Sequence, residues 1–227
     1  MTTVFGIKHP EVEEAIIVAD RQTTSVSEQT GIPSGKFLGR KLWKSKDDNF
    51  CFGHAGNRDQ ETYDFIQKFI VGEFDIEGIT KKGYFPELRK LNLGRMGRQH
   101  PDMQKLSGIV LTTRFEKNPK LWTCFPLGEV GERIWTSVGS GDEKIIQYMD
   151  ALKTLNEARD YQNPDTKARL QDILRVGLEA VRRSQSQDLY SHGLDLMVCT
   201  PEGINDHYTE LGDDFGKKLR RISKRYK

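Results

Sequence analysis

The sequence predicts an α+β fold in which two mainly antiparallel sheets stack on each other and helix pairs cover the outer faces. Three observations predict it. Runs rich in β-branched and aromatic residues come in blocks, helical patterns come in pairs between those blocks, and strict βαβ alternation is absent. The 227 residues suit one domain with a sizeable core, and no repeat, linker or low-complexity stretch divides them, so 1–227 is read as a single domain.

The elements follow in order. TTVFGIK (Thr2 to Lys8) and AIIVA (Ala15 to Ala19) flank the polar HPEVEE and read as a hairpin ending at Asp20. Thr23 to Gly39 is polar with Gly and Pro, and reads as a loop or ragged strand. KLWK (Lys41 to Lys44) and FCFGHA (Phe50 to Ala55) form the next strand pair. A helix opens at Asp59, with Tyr63, Ile66 and Ile70 at helical spacing beside Phe65 and Phe69. Asp59 and Glu61 suit the positive end of its dipole. A weaker helix covers Pro86 to about Met96.

Strands return at GIVLTT (Gly108 to Thr113), KLWTCF (Lys120 to Phe125) and RIWTSV (Arg133 to Val138). A helix follows from Asp142 to about Leu155, and another from Asp165 to Arg183 with Asp165 as its cap. Gly177 lies on the apolar face of that second helix, where it marks close packing against another element. LDLMVC (Leu194 to Cys199) is a strand, Ile204 to Glu210 pairs with it, and Phe215, Leu219, Ile222 and Tyr226 give a C-terminal amphipathic helix.

Thirty-five basic and 33 acidic residues leave a formal net charge of +2, too close to zero for a general attraction to nucleic acid or membrane. The basic stretch from Lys81 to His100 and the tail KKLRRISKRYK read as solvated helix faces, the tail also as a contact to a neighbouring subunit. No apolar run reaches the ~18 residues of a membrane helix. The first residues lack the features of a signal peptide, so the cytoplasm is the expected location. Cys51, Cys124 and Cys199 each sit in an apolar run and read as buried reduced thiols. The five His show no metal-ligand spacing and no phosphate-binding Gly loop is present, so neither metal nor cofactor is expected.

The second residue carries the chemistry. An aminopeptidase that removes Met1 would leave Thr2 with a free α-amine beside its own hydroxyl. An α-amine has a pKa of about 7.7–8.0 and can take the hydroxyl proton near neutrality, which activates the oxygen as a nucleophile.

The segments TTVFGIK, IIVADRQTT, GRKLW, FGHAGNRDQ, SVGSGDE and QDLYSHGLDLMV follow in that order. Together they resemble the proteasome β-subunit and HslV-type family of N-terminal-nucleophile threonine hydrolases, over nearly the whole chain from Thr2 to about Val198. The resemblance implies that family's four-layer αββα sandwich. It implies Thr2 as nucleophile, and Asp20 and Lys41 as the carboxylate and cation beside it. Ser140, Asp188 and Ser191 would hold the amine and its water, and the Gly56 N–H would meet the oxyanion. Thr23, Gly39, His54 and Arg58 would line the substrate pocket, whose two cations would favour an acidic residue before the cut.

Singly, each of these residues has an ordinary reading: Asp20 ends a strand before a turn, Lys41 is an exposed strand lysine, Ser140 makes a turn or caps a helix, and Asp188 and Ser191 sit in a loop. Together they imply a threonine endopeptidase working on polypeptide substrates inside stacked rings, with α-type subunits or an ATPase unfoldase as further partners. An inactive structural ring subunit that keeps Met1, and an amidase or transpeptidase with a specific peptide substrate, are the alternatives. The chain departs from the family pattern in its longer first hairpin, in the longer stretch from Asp20 to Lys41, and in His192 where a Gly is usual.

Overall fold

The computed structural model describes residues 3–26, 33–56, 59–96, 106–160, 170–184 and 194–207. The first sheet is antiparallel, with strand order β10-β1-β2-β11-β12. Its strands are β1 (Thr3–Ile7), β2 (Ala15–Asp20), β10 (Trp135–Gly139), β11 (Leu194–Cys199) and β12 (Ile204–Asp206). The second is an antiparallel meander in the order β5-β6-β7-β8-β9. It contains β5 (Leu42–Lys44), β6 (Phe50–Ala55), β7 (Gly108–Thr113), β8 (Lys120–Cys124) and β9 (Val130–Glu132).

Three apolar clusters order the layers. Val4, Ile17, Leu42, Cys51, Val110, Leu121 and Met197 meet between the two sheets. Phe5, Ile16, Val18 and Leu196, on the other face of the first sheet, pack against α4 (Asp142–Asp160) and α5 (Leu170–Ser184). Phe50, Phe52, Ile109 and Leu111 pack against α1 (Gln60–Val71), α2 (Ile76–Lys82) and α3 (Pro86–Met96). The layers therefore run helices, sheet, sheet, helices. Every residue of β1, β2, β6, β7 and β11 is buried, which is why those runs read as continuously apolar rather than alternating.

Local signals explain the element ends. The Asp59 carboxylate accepts from Thr62 N at 2.8 Å and caps α1, while Gly72 in the left-handed region closes it. Phe69, on the buried face of α1, packs against Phe52 with centroids 4.2 Å apart and the rings tilted by 44°. A Cβ on Gly177 would lie 2.7 Å from Ile16 Cδ1, so α5 rests directly on β2, as its place in the helical pattern predicts.

The structure corrects several expectations. The stretch after Asp20, read as a loop or ragged strand, is strand rather than loop on both sides: β3 (Gln22–Val26) and β4 (Pro33–Leu38) form an antiparallel two-stranded ribbon with a register shift at Ser25 and Val26. The seven-residue α2 and three-residue β9 were not expected, being too short to show a period. Tyr63 faces solvent, although Phe65, Ile66 and Phe69 of the same helix are buried. The last strand of its block spans Trp135–Gly139 rather than starting at Arg133. Residues 165–169 and the expected C-terminal helix lie outside the described residues.

All three cysteines are free and buried. Burial pushes the Cys124 and Cys199 thiols up to about 12. No helix among the described residues is long and apolar enough to cross a membrane.

Candidate active site

Strand register gathers the candidate residues at one end of the sandwich. In the first sheet Thr3 pairs with Gly139, Val4 with Ala19, and Asp20 with Leu194. In the second, Ala55 pairs with Gly108, and His54 N–H donates to Lys41 O at 3.2 Å. A Cβ on Gly108 would lie 3.2 Å from Val138 Cγ1, and Val138 pairs with Val4, so the two sheet ends lie on the same side.

The centre of this end is Asp20. Its Oδ1 accepts the Thr3 main-chain N–H at 2.5 Å and its Oδ2 accepts the Lys41 ammonium at 2.7 Å. Lys41 has no exposed surface and Asp20 is 2% exposed. An ammonium this deep needs a counter-charge in contact, and Asp20 supplies it. These positions exclude the ordinary reading of Lys41 as an exposed strand lysine.

The two residues are 21 positions apart and are brought together by the ribbon between them. Gln22 pairs with Leu38, and Gly39 N–H donates to Arg21 O at 2.8 Å. The base of the ribbon thus closes beside the pair.

On the other side of Thr3, β10 ends at Gly139 in a left-handed conformation and α4 begins at Asp142. Ser140, between them, is exposed. A Cβ on Gly141 would collide with Thr3 Oγ1 and lie 2.8 Å from Ser184 Cβ, so a residue without a side chain lets the helix start close over the strand. Burial pushes the Asp142 carboxyl up to about 6, against the pull of Ser137 and the Gly139 N–H.

Gly56 follows β6 with φ of +144°, a region that side-chain-bearing residues rarely adopt. A Cβ there would meet Ser107 Cα at 2.8 Å and Leu106 O at 3.0 Å. That covering segment is itself fixed by Asn92 of α3. Its amide donates to Ser107 O at 2.9 Å and Pro126 O at 2.8 Å, and its carbonyl accepts from Ser107 N at 2.8 Å.

Of the residues expected from sequence, Asp20 and Lys41 are in contact, and Gly39, Gly56 and Ser140 lie on segments that reach the same end. Thr23 sits on β3 opposite Phe37. His54 is 1% exposed, and strand alternation places it on the face of Phe50 and Phe52, the face packed against helices. Thr2, Arg58, Asp188 and Ser191 lie outside the described residues.

Sequence reasoning missed Asp195. It is 1% exposed, its Oδ2 accepts the Lys41 main-chain N–H at 3.3 Å, and its Oδ1 stands 3.5 Å from Arg21 Nε. Burial, first, and Asp206 push its carboxyl up to about 7, against the pull of the Lys41 N–H, Arg21 and Arg40. An acid inside the otherwise apolar LDLMVC was the available signal. Compared with known proteins, the chain matches no family model and no curated protein.

Proposed function

We propose that the chain is a threonine-type endopeptidase of the N-terminal-nucleophile class, with Thr2 as nucleophile once Met1 is removed. The observation that carries this reading is the buried bridge in which Asp20 holds both the Thr3 N–H and the Lys41 ammonium. Thr2 directly precedes Thr3 in the sequence, so the N–H held by Asp20 belongs to the peptide bond that joins the two residues. The layered arrangement of two sheets between helices supports the αββα sandwich of that class.

In this reading the Lys41 charge favours the ionised form of the Thr2 hydroxyl and lowers the basicity of the α-amine, so that the amine is free to act. The α-amine takes the hydroxyl proton as the Thr2 oxygen bonds to the substrate carbonyl carbon. The Gly56 N–H meets the oxyanion, and the rigid cover over Gly56 keeps that donor aimed. The carbon–nitrogen bond breaks as the amine returns the proton to the leaving nitrogen. Water then hydrolyses the ester by the same proton route. Ser140, Asp188 and Ser191 hold the amine and its water.

The reading includes polypeptide substrates, assembly into stacked rings, possible delivery by an unfoldase, and work in the cytoplasm. The test is hydrolysis of fluorogenic peptides and unfolded protein by the purified chain, with intact mass to establish whether Met1 is lost. Thr2→Ala is expected to abolish turnover while retaining fold and assembly. Turnover by Thr2→Ala equal to the parent, or retention of Met1 in the native protein, would reject the reading, the latter in favour of an inactive ring subunit.

A further inference from the structure

Lys41 stands just outside the ladder, since pairing of β5 with β6 begins at Leu42 and Gly53. Its carbonyl is nevertheless taken by His54 N–H of the second sheet. Its N–H is taken by a side chain from the first sheet, Asp195 of β11. Asp195 has the strand parity of Met197 and Cys199, which face the space between the sheets. It lies beside Ala19 in register, one residue before Asp20. The main chain of Lys41 is therefore held from both sheets, while its ammonium reaches Asp20.

We propose that Asp195 is a positioning residue for the Lys41 ammonium: by taking the Lys41 main-chain N–H, it fixes the point from which that side chain is aimed at Asp20. This rests on the reading of Asp20 and Lys41 as catalytic machinery. The path is Asp195 to the Lys41 backbone, Lys41 Nζ to Asp20, and Asp20 to the Thr3 N–H, each link a hydrogen bond at 3.3, 2.7 and 2.5 Å.

The charged groups around Asp195 are Arg21 at the end of β2, Arg40 and Lys41 before β5, and Asp206 of β12, which is itself paired with Arg40. Asp195 Oδ1 accepts no hydrogen bond among the described residues and has Arg21 only at ion-pair distance. A carboxylate so placed gives up its charge readily. Once protonated, it accepts more weakly from Lys41 N–H and no longer attracts Arg21. The aim of Lys41 therefore slackens as pH falls through neutrality.

The experiment is amide hydrogen exchange at Lys41 and Thr3 from pH 5.5 to 8, corrected for the intrinsic pH dependence and for the global unfolding free energy at each pH so that it reads local opening, on the full chain without substrate. Protection at Lys41 is expected to rise about tenfold across that range, the worth of one charge-assisted hydrogen bond. Asp195→Asn should abolish the rise and lower protection at Thr3 as well. Arg21→Gln, which removes the facing cation but leaves the acid, should move the transition to higher pH and covers the case in which Asp195→Asn does not fold. A pH-independent wild type, unchanged Thr3 protection in Asp195→Asn, or an unmoved transition in Arg21→Gln would overturn the proposal. Hydrolysis separates it from the catalytic reading. Loss of turnover in Thr2→Ala with unchanged exchange in Asp195→Asn rejects the positioning role alone, and full turnover in Thr2→Ala rejects the catalytic reading alone.

Discussion

Asp20 Oδ2 lies 2.7 Å from Lys41 Nζ, in a place where neither side chain is open to water. Removing either partner strands the other charge in the interior, at a cost of about 3–5 kcal/mol. Asp20→Asn and Lys41→Met are each expected to lower stability by that order. The double replacement should cost much less than their sum, because residues in contact do not behave additively. A urea double-mutant cycle measures this, and additive single effects would mean the contact carries no energy. Lys41→Arg should not restore hydrolysis, since a planar fork cannot occupy the space of a compact ammonium.

Gly141 sits under Thr3. Gly141→Ala is expected to destabilise by about 1–3 kcal/mol, the usual cost of overpacking, because the added methyl meets Thr3 Oγ1 and Ser184 Cβ. In a Thr3→Ala background the same change should cost distinctly less. Denaturation of the four variants decides it, and equal costs in both backgrounds would remove the contact from the account.

Stability is expected to fall as pH rises from about 4 to 7. Asp195, pushed up to about 7, and Asp142, pushed up to about 6, both bind their proton more tightly folded than unfolded, where an Asp titrates at about 3.9. Their neutral forms therefore favour the fold below the unfolded value, and that contribution is lost as pH climbs through the folded values. Glu179 runs the other way. The Arg182 and Arg183 guanidiniums beside it hold it down to about 2, so its contribution is present above the usual carboxylate range and lost only in strong acid. Asp142→Asn should remove about 1–2 kcal/mol of the decline, all of it below roughly pH 6.5. Urea midpoints at half-unit intervals of pH would show it, and a midpoint that rises from pH 4 to 7 would contradict it.

The fold was legible where local and tertiary preferences agree. AIIVA, FCFGHA and LDLMVC are apolar because both faces of those strands are covered, and Asp59 before the Phe65 and Phe69 pattern marks a helix start that the cap geometry bears out. The ribbon was not legible, because QTTSV and PSGKFL are polar strands that pair with each other rather than with either large sheet. Their pairing is set by register at the base, which leaves no apolar period to read.

In the candidate site, Asp20 and Lys41 were legible as residues, but their burial was not. Lys41 precedes a three-residue strand, too short for alternation to say which way it points. Asp195 was not legible because nothing near it in sequence marks it as buried inside β11. The hydrogen bond that its carboxylate accepts comes from across the gap between the sheets, and that partner is 154 positions away in sequence.

The ribbon of β3 and β4 has one more consequence. Its base is closed at Gln22 and Leu38 and again at Gly39 and Arg21, so the spacing of Asp20 and Lys41 is set there. The length of chain beyond that base is then free to change. Residues added between Val26 and Pro33 would lengthen the ribbon outward while the acid and the ammonium stay where they are. A chain built this way can vary what it presents at the rim without retuning its centre.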